Sequence, residues 1–267
     1  MAGDTRMVRR GAGHSYLLDG EPCDGVTSIL SAGVPKPALV GWAANTTAAY
    51  AVDRWDELAD VGVAERLTRL QQARFESNKS AAVRGTAVHV LAEQLIRGDE
   101  VEVPDDVIGY VDACLDFLTD YDVAEIAVEA VVVNRGNAAG AGRYMGCVDL
   151  IAGVSSWNGL APTSETWLVD WKTGLRGIFP EAALQLAAYS HAETLLLENG
   201  DEAPLPRVDR CVAVWLRTDG YDVFPVDAGD DTYRTFLYVQ QLAAFANAPR
   251  GTYVGDALAH PEPAAAS

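Results

Sequence analysis

The sequence is short of cysteine, of lysine and of long apolar runs. Its four cysteines, Cys23, Cys114, Cys147 and Cys211, are scattered with no Cys-x-x-Cys among them. Neither a zinc site nor an iron–sulfur cluster is therefore expected, and the thiols are read as reduced and mostly buried. No apolar stretch approaches the length of a membrane span, and Met1 to Arg6 carries no signal-peptide segment. That predicts a soluble, cytosolic protein without membrane contact. Lysine occurs only as Lys36, Lys79 and Lys172 among twenty basic residues. In a composition that favours arginine for generic positive charge, Lys172 hints at a chemical need for an amine. A net charge of −18 excludes a generally basic coat for nucleic acid, so any such contact must be local. The acidic balance also raises the reading of a regulatory cation-binding protein, but no Asp-x-Asp-x-Asp-Gly loop with calcium spacing is present.

What the chain does have is 49% hydrophobic residues over 267 positions, enough to bury one sizeable core. His14 to Pro22 alternates and then turns, predicting an edge hairpin. Val26 opens a short helix that Pro35-Lys36-Pro37 stops. Helices are expected over 38–54, anchored by Trp42, and over 55–75. Glu76-Ser-Asn-Lys-Ser80 reads as a polar break, with Ser80 as N-cap of a helix over 81–97. A further helix from Pro104 to Tyr121 should bury Val107, Val111, Cys114, Leu115 and Leu118, with Asp112, Asp116 and Asp120 on a solvated face. Then the period changes. Segments 125–134 and 143–152 read as strands of a hairpin joined by the glycine-rich 135–142. A strand to Lys172, a helix from Pro180 to Glu198, strands 210–217 and 221–226, and a helix over 231–246 complete the set. The Pro/Ala tail from His260 to Ser267 is expected to be disordered.

The chemistry concentrates in four places. In Leu168-Val-Asp-Trp-Lys-Thr-Gly174, strand alternation puts Asp170 and Lys172 on one side and Val169 and Trp171 on the other. A carboxylate beside an ammonium suits a hard metal ion next to a polarised water, although a lone Asp-x-Lys is far more often a surface ion pair. Asp149 lies among Val148, Leu150 and Ile151, where an acid is costly without a partner such as a metal. In Arg84-Gly-Thr-Ala-Val-His89, His89 falls off the apolar stripe. It is open to reading as a metal ligand, a phosphate contact, or a solvent-side histidine paired with Glu93. Gln185 and Tyr189 lie one turn apart on one helix face.

Taken in order, Arg84-Gly-Thr-Ala-Val-His89, Gly146-Cys-Val-Asp149-Leu-Ile, Val169-Asp170-Trp-Lys172-Thr-Gly and Gln185-Leu-Ala-Ala-Tyr189 resemble the RecB-like branch of the PD-(D/E)xK nuclease superfamily. That branch includes RecB and AddB nuclease domains, CRISPR-associated exonucleases and many phage exonucleases. The resemblance covers roughly 80–217. It implies an α/β fold with a restriction-endonuclease-like αβββαβ core over 80–250. An N-terminal hairpin and helical lobe would occupy 1–79 and a flexible tail 251–267, the whole forming one compact domain. It implies a Mg²⁺- or Mn²⁺-dependent DNA exonuclease of replication, recombination or repair, phage-encoded or bacterial. A replication or recombination protein is an expected partner besides single- or double-stranded DNA, and oligomeric state, polarity and strand preference stay open.

Residue by residue, the resemblance makes Asp149 and Asp170 the principal metal carboxylates, with the Trp171 carbonyl facing the ion. Lys172 would position or activate water, His89 would sit at the metal, and Glu129 would stand where relatives often carry an acid. Gln185 and Tyr189 would hold the DNA backbone, and Lys79, Arg84, Arg143 and Arg176 would line a short track to the cleft. Cluster-bearing relatives group cysteines near the C-terminus, which this chain does not do, so no iron–sulfur cluster is expected. No Gly-x-x-x-x-Gly-Lys-Ser/Thr occurs, so no helicase half is expected either. A non-enzymatic DNA-binding or assembly module on the same fold is the alternative; retention of both aspartates and the lysine argues against it.

Overall fold

In the computed structural model, residues 4–10, 13–137, 142–155, 164–175, 177–197 and 199–258 are described. Three short strands, β1 (Arg6–Arg10), β2 (Gly13–Leu18) and β3 (Glu21–Cys23), form a small antiparallel sheet. Asp19 and Gly20 turn β2 into β3 at φ 55° and 84°. Paired positive φ values match the right-handed twist of a tight hairpin, and Asp-Gly tolerates them. Four helices follow: α1 (Val26–Gly33), α2 (Pro37–Asp53), α3 (Trp55–Ala59) and α4 (Val63–Ile96). After α5 (Ile108–Asp120) come β4 (Val123–Asn134), β5 (Tyr144–Val154) and β6 (Glu165–Lys172). The chain then forms α6 (Glu181–Ser190), β7 (Thr194–Leu196), β8 (Glu202–Pro204), β9 (Arg210–Arg217), β10 (Gly220–Pro225) and α7 (Asp230–Asn247).

The large sheet has seven strands in the order β10-β9-β6-β5-β4-β7-β8. β6 and β9 are parallel, and the other neighbours are antiparallel. On one face α5 and the C-terminal half of α4 pack over a cluster that includes Phe117, Trp167, Val169 and Trp171. On the other, α1, α6 and α7 pack through Leu30, Leu168, Leu186, Tyr189 and Phe236. Tyr16 and Leu18 anchor the small sheet on Val131, Val133 and Met145. The protein is thus mixed α/β, with a seven-stranded mixed sheet flanked by helices.

Several sequence expectations need correction. The break at 76–80 does not form: α4 runs unbroken through it. Serine and asparagine inside a helix each cost only a few tenths of a kcal/mol, which the good helix formers around them absorb. The helix from Pro180 stops at Ser190, and Thr194-Leu-Leu196 pairs instead with β4. A three-residue apolar run has no period of its own, and the open edge of β4 supplies hydrogen-bond partners. Leu115 is 40% exposed, and Phe117 takes the buried place on α5. The strands β1 and β8 were not anticipated. The expected tail at 260–267 lies outside the described residues. Among the described residues no helix is long and apolar enough to cross a membrane.

Candidate metal centre

β6 delivers Asp170 and Lys172 to one side of the sheet while Trp171 packs edge-on against Phe117 on the other, ring centroids 5.4 Å apart. The alternation read from sequence holds. Asp170 is 2% exposed. Its Oδ1 accepts a hydrogen bond from Gln185 Nε2 at 3.0 Å, and its Oδ2 lies 2.6 Å from Lys172 Nζ. That charge contact is what Oδ2 has, with no further hydrogen bond to it among the described residues. Gln185 bridges both members, since its Oε1 accepts from Lys172 Nζ at 3.4 Å. Gln185 Nε2 also donates to Tyr189 Oη at 3.3 Å. The Tyr189 ring fits because residue 146 has no side chain: a Cβ there would stand 2.4 Å from Tyr189 Cε1.

Asp149, from β5, is tied on both oxygens. Oδ1 lies 3.2 Å from His89 Nδ1 on α4, and Oδ2 accepts the Trp171 backbone N–H at 2.7 Å. His89 therefore pairs with Asp149 and not with Glu93, which takes Arg97 at 3.2 Å. Donor atoms of His89, Glu129 and Asp149 all lie within 4.8 Å of one another. Two carboxylates and an imidazole form a donor set for a divalent cation, and with the buried Asp170 carboxylate nearby the residues fit such an ion. Asp170 lies in the same cavity, of about 500 Å³, but is not one of the three converging donors.

Glu129 reaches the site by a backbone departure that no motif announces. Its φ is +47° in the middle of β4, a conformation that costs a non-glycine residue roughly 1–2 kcal/mol. The departure also swaps the faces of the strand. Val128 packs in the α5 layer, but Val132, an even number of residues on, packs in the α6 layer. Strict alternation would have kept both on one side. The Glu129 carboxylate accepts a hydrogen bond from Cys147 Sγ at 3.3 Å.

Burial dominates the electrostatics, and charge decides each sign. Burial opposes ionisation of Asp149, yet His89, Lys172 and the Trp171 N–H hold its carboxyl below the usual range. Asp170 goes the other way: burial, with repulsion from Asp149, outweighs Lys172 and raises it. Burial and Asp149 raise Glu129 as well. His89 is disfavoured as a cation by burial, but Asp149 overrides this and lifts it to about 9. A raised histidine contributes stability that is complete below its unfolded value near 6.5 and disappears as pH rises through about 9. The metal-free protein is thus expected to lose stability between those limits, by up to one proton's worth of slope. Thermal unfolding in EDTA across this range checks it, and a slope that survives in His89→Gln would contradict the assignment. A cation must displace that proton, so metal binding should release protons over the same window.

The cleft gathers His89, Glu129, Asp149, Asp170, Trp171, Lys172, Gln185 and Tyr189. Of the expected basic track, neither Arg84 nor Arg143 lines it. Arg84 turns toward α5, its guanidinium 5.6 Å from the Tyr110 ring centroid. Arg143 donates to the Leu18 carbonyl at 2.6 Å and lines a separate cavity with Cys23 and Asp24. The Lys79 side chain and all of Arg176 lie outside the described residues. The N-terminal hairpin contributes Arg9 and His14, which face each other across β1 and β2 and line the cleft with Thr27. Arg9 is exposed and forms no ion pair with a described residue. Sequence reading missed both because their nearness to Asp149 is purely tertiary. Compared with protein-family models and with curated proteins, the sequence matches none.

Proposed function

We propose that this chain is a divalent-metal-dependent deoxyribonuclease acting as an exonuclease, with a restriction-endonuclease-like core of the RecB-like branch. The observation that carries the reading is the meeting of His89, Glu129 and Asp149 donors within 4.8 Å, beside the buried Asp170–Lys172 pair. Hydrolysis of a phosphodiester brings a nucleophile against an anionic group, so the site must neutralise charge and activate water. His89, Glu129 and Asp149, with Asp170 beside them, would hold Mg²⁺ or Mn²⁺, and the mixed imidazole and carboxylate set favours Mn²⁺. When bound, the ion supplies Lewis acidity and a lowered water pKa. Lys172 orients the water and stabilises charge on the phosphate. Gln185 keeps the Lys172 ammonium and the Asp170 carboxylate in register, and Tyr189 backs Gln185. Arg9 supplies the local cation that an acidic chain needs to meet a DNA backbone, and replication, recombination or repair is the natural setting.

The direct test incubates end-labelled linear and circular DNA, single- and double-stranded, in Mg²⁺, Mn²⁺ or EDTA, with Asp149→Asn alongside. Linear DNA should be degraded only with metal, circles should survive, and Asp149→Asn should be slower by about 10³-fold or more. No hydrolysis in either metal sinks the nuclease reading, and DNA retention by an inert wild type moves it to a binding module. Cleaved circles remove only the exonuclease part. In the active protein Arg9→Ala should lower the slope of log kcat/KM against log salt by about one, the mark of one lost phosphate contact. An unchanged slope would remove Arg9 from the DNA contact.

A further inference from the structure

The helices α2 and α3 and the first part of α4 stand apart from the cores on either side of the sheet. None of the described side chains of α2 is buried, although most of its seventeen residues are apolar or small. Over 63–75 of α4 only Ala73 is buried. The apolar and small residues of α2 are spread around the whole helix rather than along one stripe, and a helix apolar all round is normally buried, whereas this one is open. Between α2 and α4 runs a groove of about 1020 Å³ lined by apolar residues, among them Trp42, Leu67, Leu70 and Phe75. Val40 at its rim is 72% exposed, Leu67 55% and Phe75 58%. Monomers seldom leave a contiguous apolar surface of this kind uncovered.

Charge points to what covers it. Residues 37–75 contain five acids and four arginines in a chain of net charge −18, so this is a nearly neutral face on a strongly acidic molecule. Its arginines are already engaged: Arg54 with Glu57, Arg69 with Glu65, and Arg66 with the carbonyls of Leu58, Ala59 and Val61. Arg74, the one charged residue lining the groove among the described residues, lies over the Phe75 ring, 4.5 Å from its centroid. Among the described residues Arg74 is the one cation of this face that no acid or carbonyl engages, too little charge to hold a phosphate backbone, which disfavours nucleic acid as the occupant. Two molecules of this chain would repel one another across most other surfaces but not across this one. Seventeen helical residues give a face about 25 Å long. Two such helices side by side approach the roughly 800 Å² per partner that a stable dimer buries.

We propose that the α2–α4 lobe is a homodimer interface, in which two helix pairs related by a two-fold axis close into a four-helix bundle around the groove. The inference does not depend on the nuclease reading. Light scattering on a sizing column reads it directly. The wild type should run at twice its 28.5 kDa, and Val40→Glu/Leu67→Glu should run at the single mass. Because both positions are exposed, the variant should keep the wild-type circular dichroism, and a change there directs the test to Val40→Glu alone. A wild type of single mass overturns the proposal, and so does a variant that remains a dimer. A monomer that captures short single-stranded DNA through this groove, with capture lost in the variant, also overturns it and hands the groove to DNA.

Discussion

Lys172→Ala is expected to lower DNA hydrolysis by about 10²- to 10⁴-fold while binding Mn²⁺ as tightly as the wild type or more tightly. The two effects separate because Lys172 is no ligand. Its Nζ lies 2.6 Å from Asp170 Oδ2, so in the metal-free protein it is the countercharge of a nearly inaccessible carboxylate. Removing the ammonium leaves Asp170 facing Asp149 with burial against it, and metal-free stability should fall, since breaking a buried pair leaves one charge uncompensated. A divalent ion restores that compensation, and it meets Asp170 without a competing cation. Stability in Mn²⁺ should therefore recover by mass action while hydrolysis does not, because nothing replaces the amine that we propose orients water. Calorimetric titration with Mn²⁺, unfolding in EDTA and in Mn²⁺, and single-turnover cleavage test this together. If Lys172→Ala loses metal affinity in step with activity, the lysine only holds Asp170 in place. If it cleaves normally, its assignment at the water is wrong.

The same pair shows why part of the site was legible in the sequence. Alternation along β6 is local and uninterrupted, so Asp170 and Lys172 fall together wherever the strand packs. Gln185 and Tyr189 are one helical turn apart, and their hydrogen bond follows from that spacing. His89 was placed off the apolar stripe, but its pairing with Asp149 rather than Glu93 depends on how α4 crosses β5, which spacing along α4 does not encode. The cations show the opposite case. Arg84 and Arg143 lie close in sequence to site residues, yet one turns toward Tyr110 and the other toward Leu18. Arg9 is 140 residues from Asp149 and enters because Tyr16 and Leu18 anchor the small sheet on β4 and β5. The elements were legible where period and length agreed. They were lost where short segments such as 194–196 took their structure from a neighbour's open edge.

Glu129 is where the fold and the site conflict, and Glu129→Gly should expose the conflict. A residue at φ +47° costs a side-chain-bearing amino acid roughly 1–2 kcal/mol, whereas glycine accepts it freely. Glycine in turn gives up about 0.5–1 kcal/mol through the freedom it gains when unfolded. The substitution also removes an acid whose ionisation burial and Asp149 already oppose. The metal-free variant should thus be at least as stable as the wild type, and by up to about 1.5 kcal/mol more so. Its affinity for Mn²⁺ should fall tenfold or more, the equivalent of about 1.4 kcal/mol, and hydrolysis with it. Glu129→Gln serves as the control. It keeps the side chain and the strained backbone but not the charge, so it should lose affinity without the gain from relaxed φ. Denaturation in EDTA and titration with Mn²⁺ distinguish these outcomes. A glycine variant that is less stable without metal, yet binds Mn²⁺ unchanged, would make the positive φ a feature of strand packing. The predicted pattern instead marks strain held at a functional position, where the backbone is bent out of its ladder to bring a third donor to the ion.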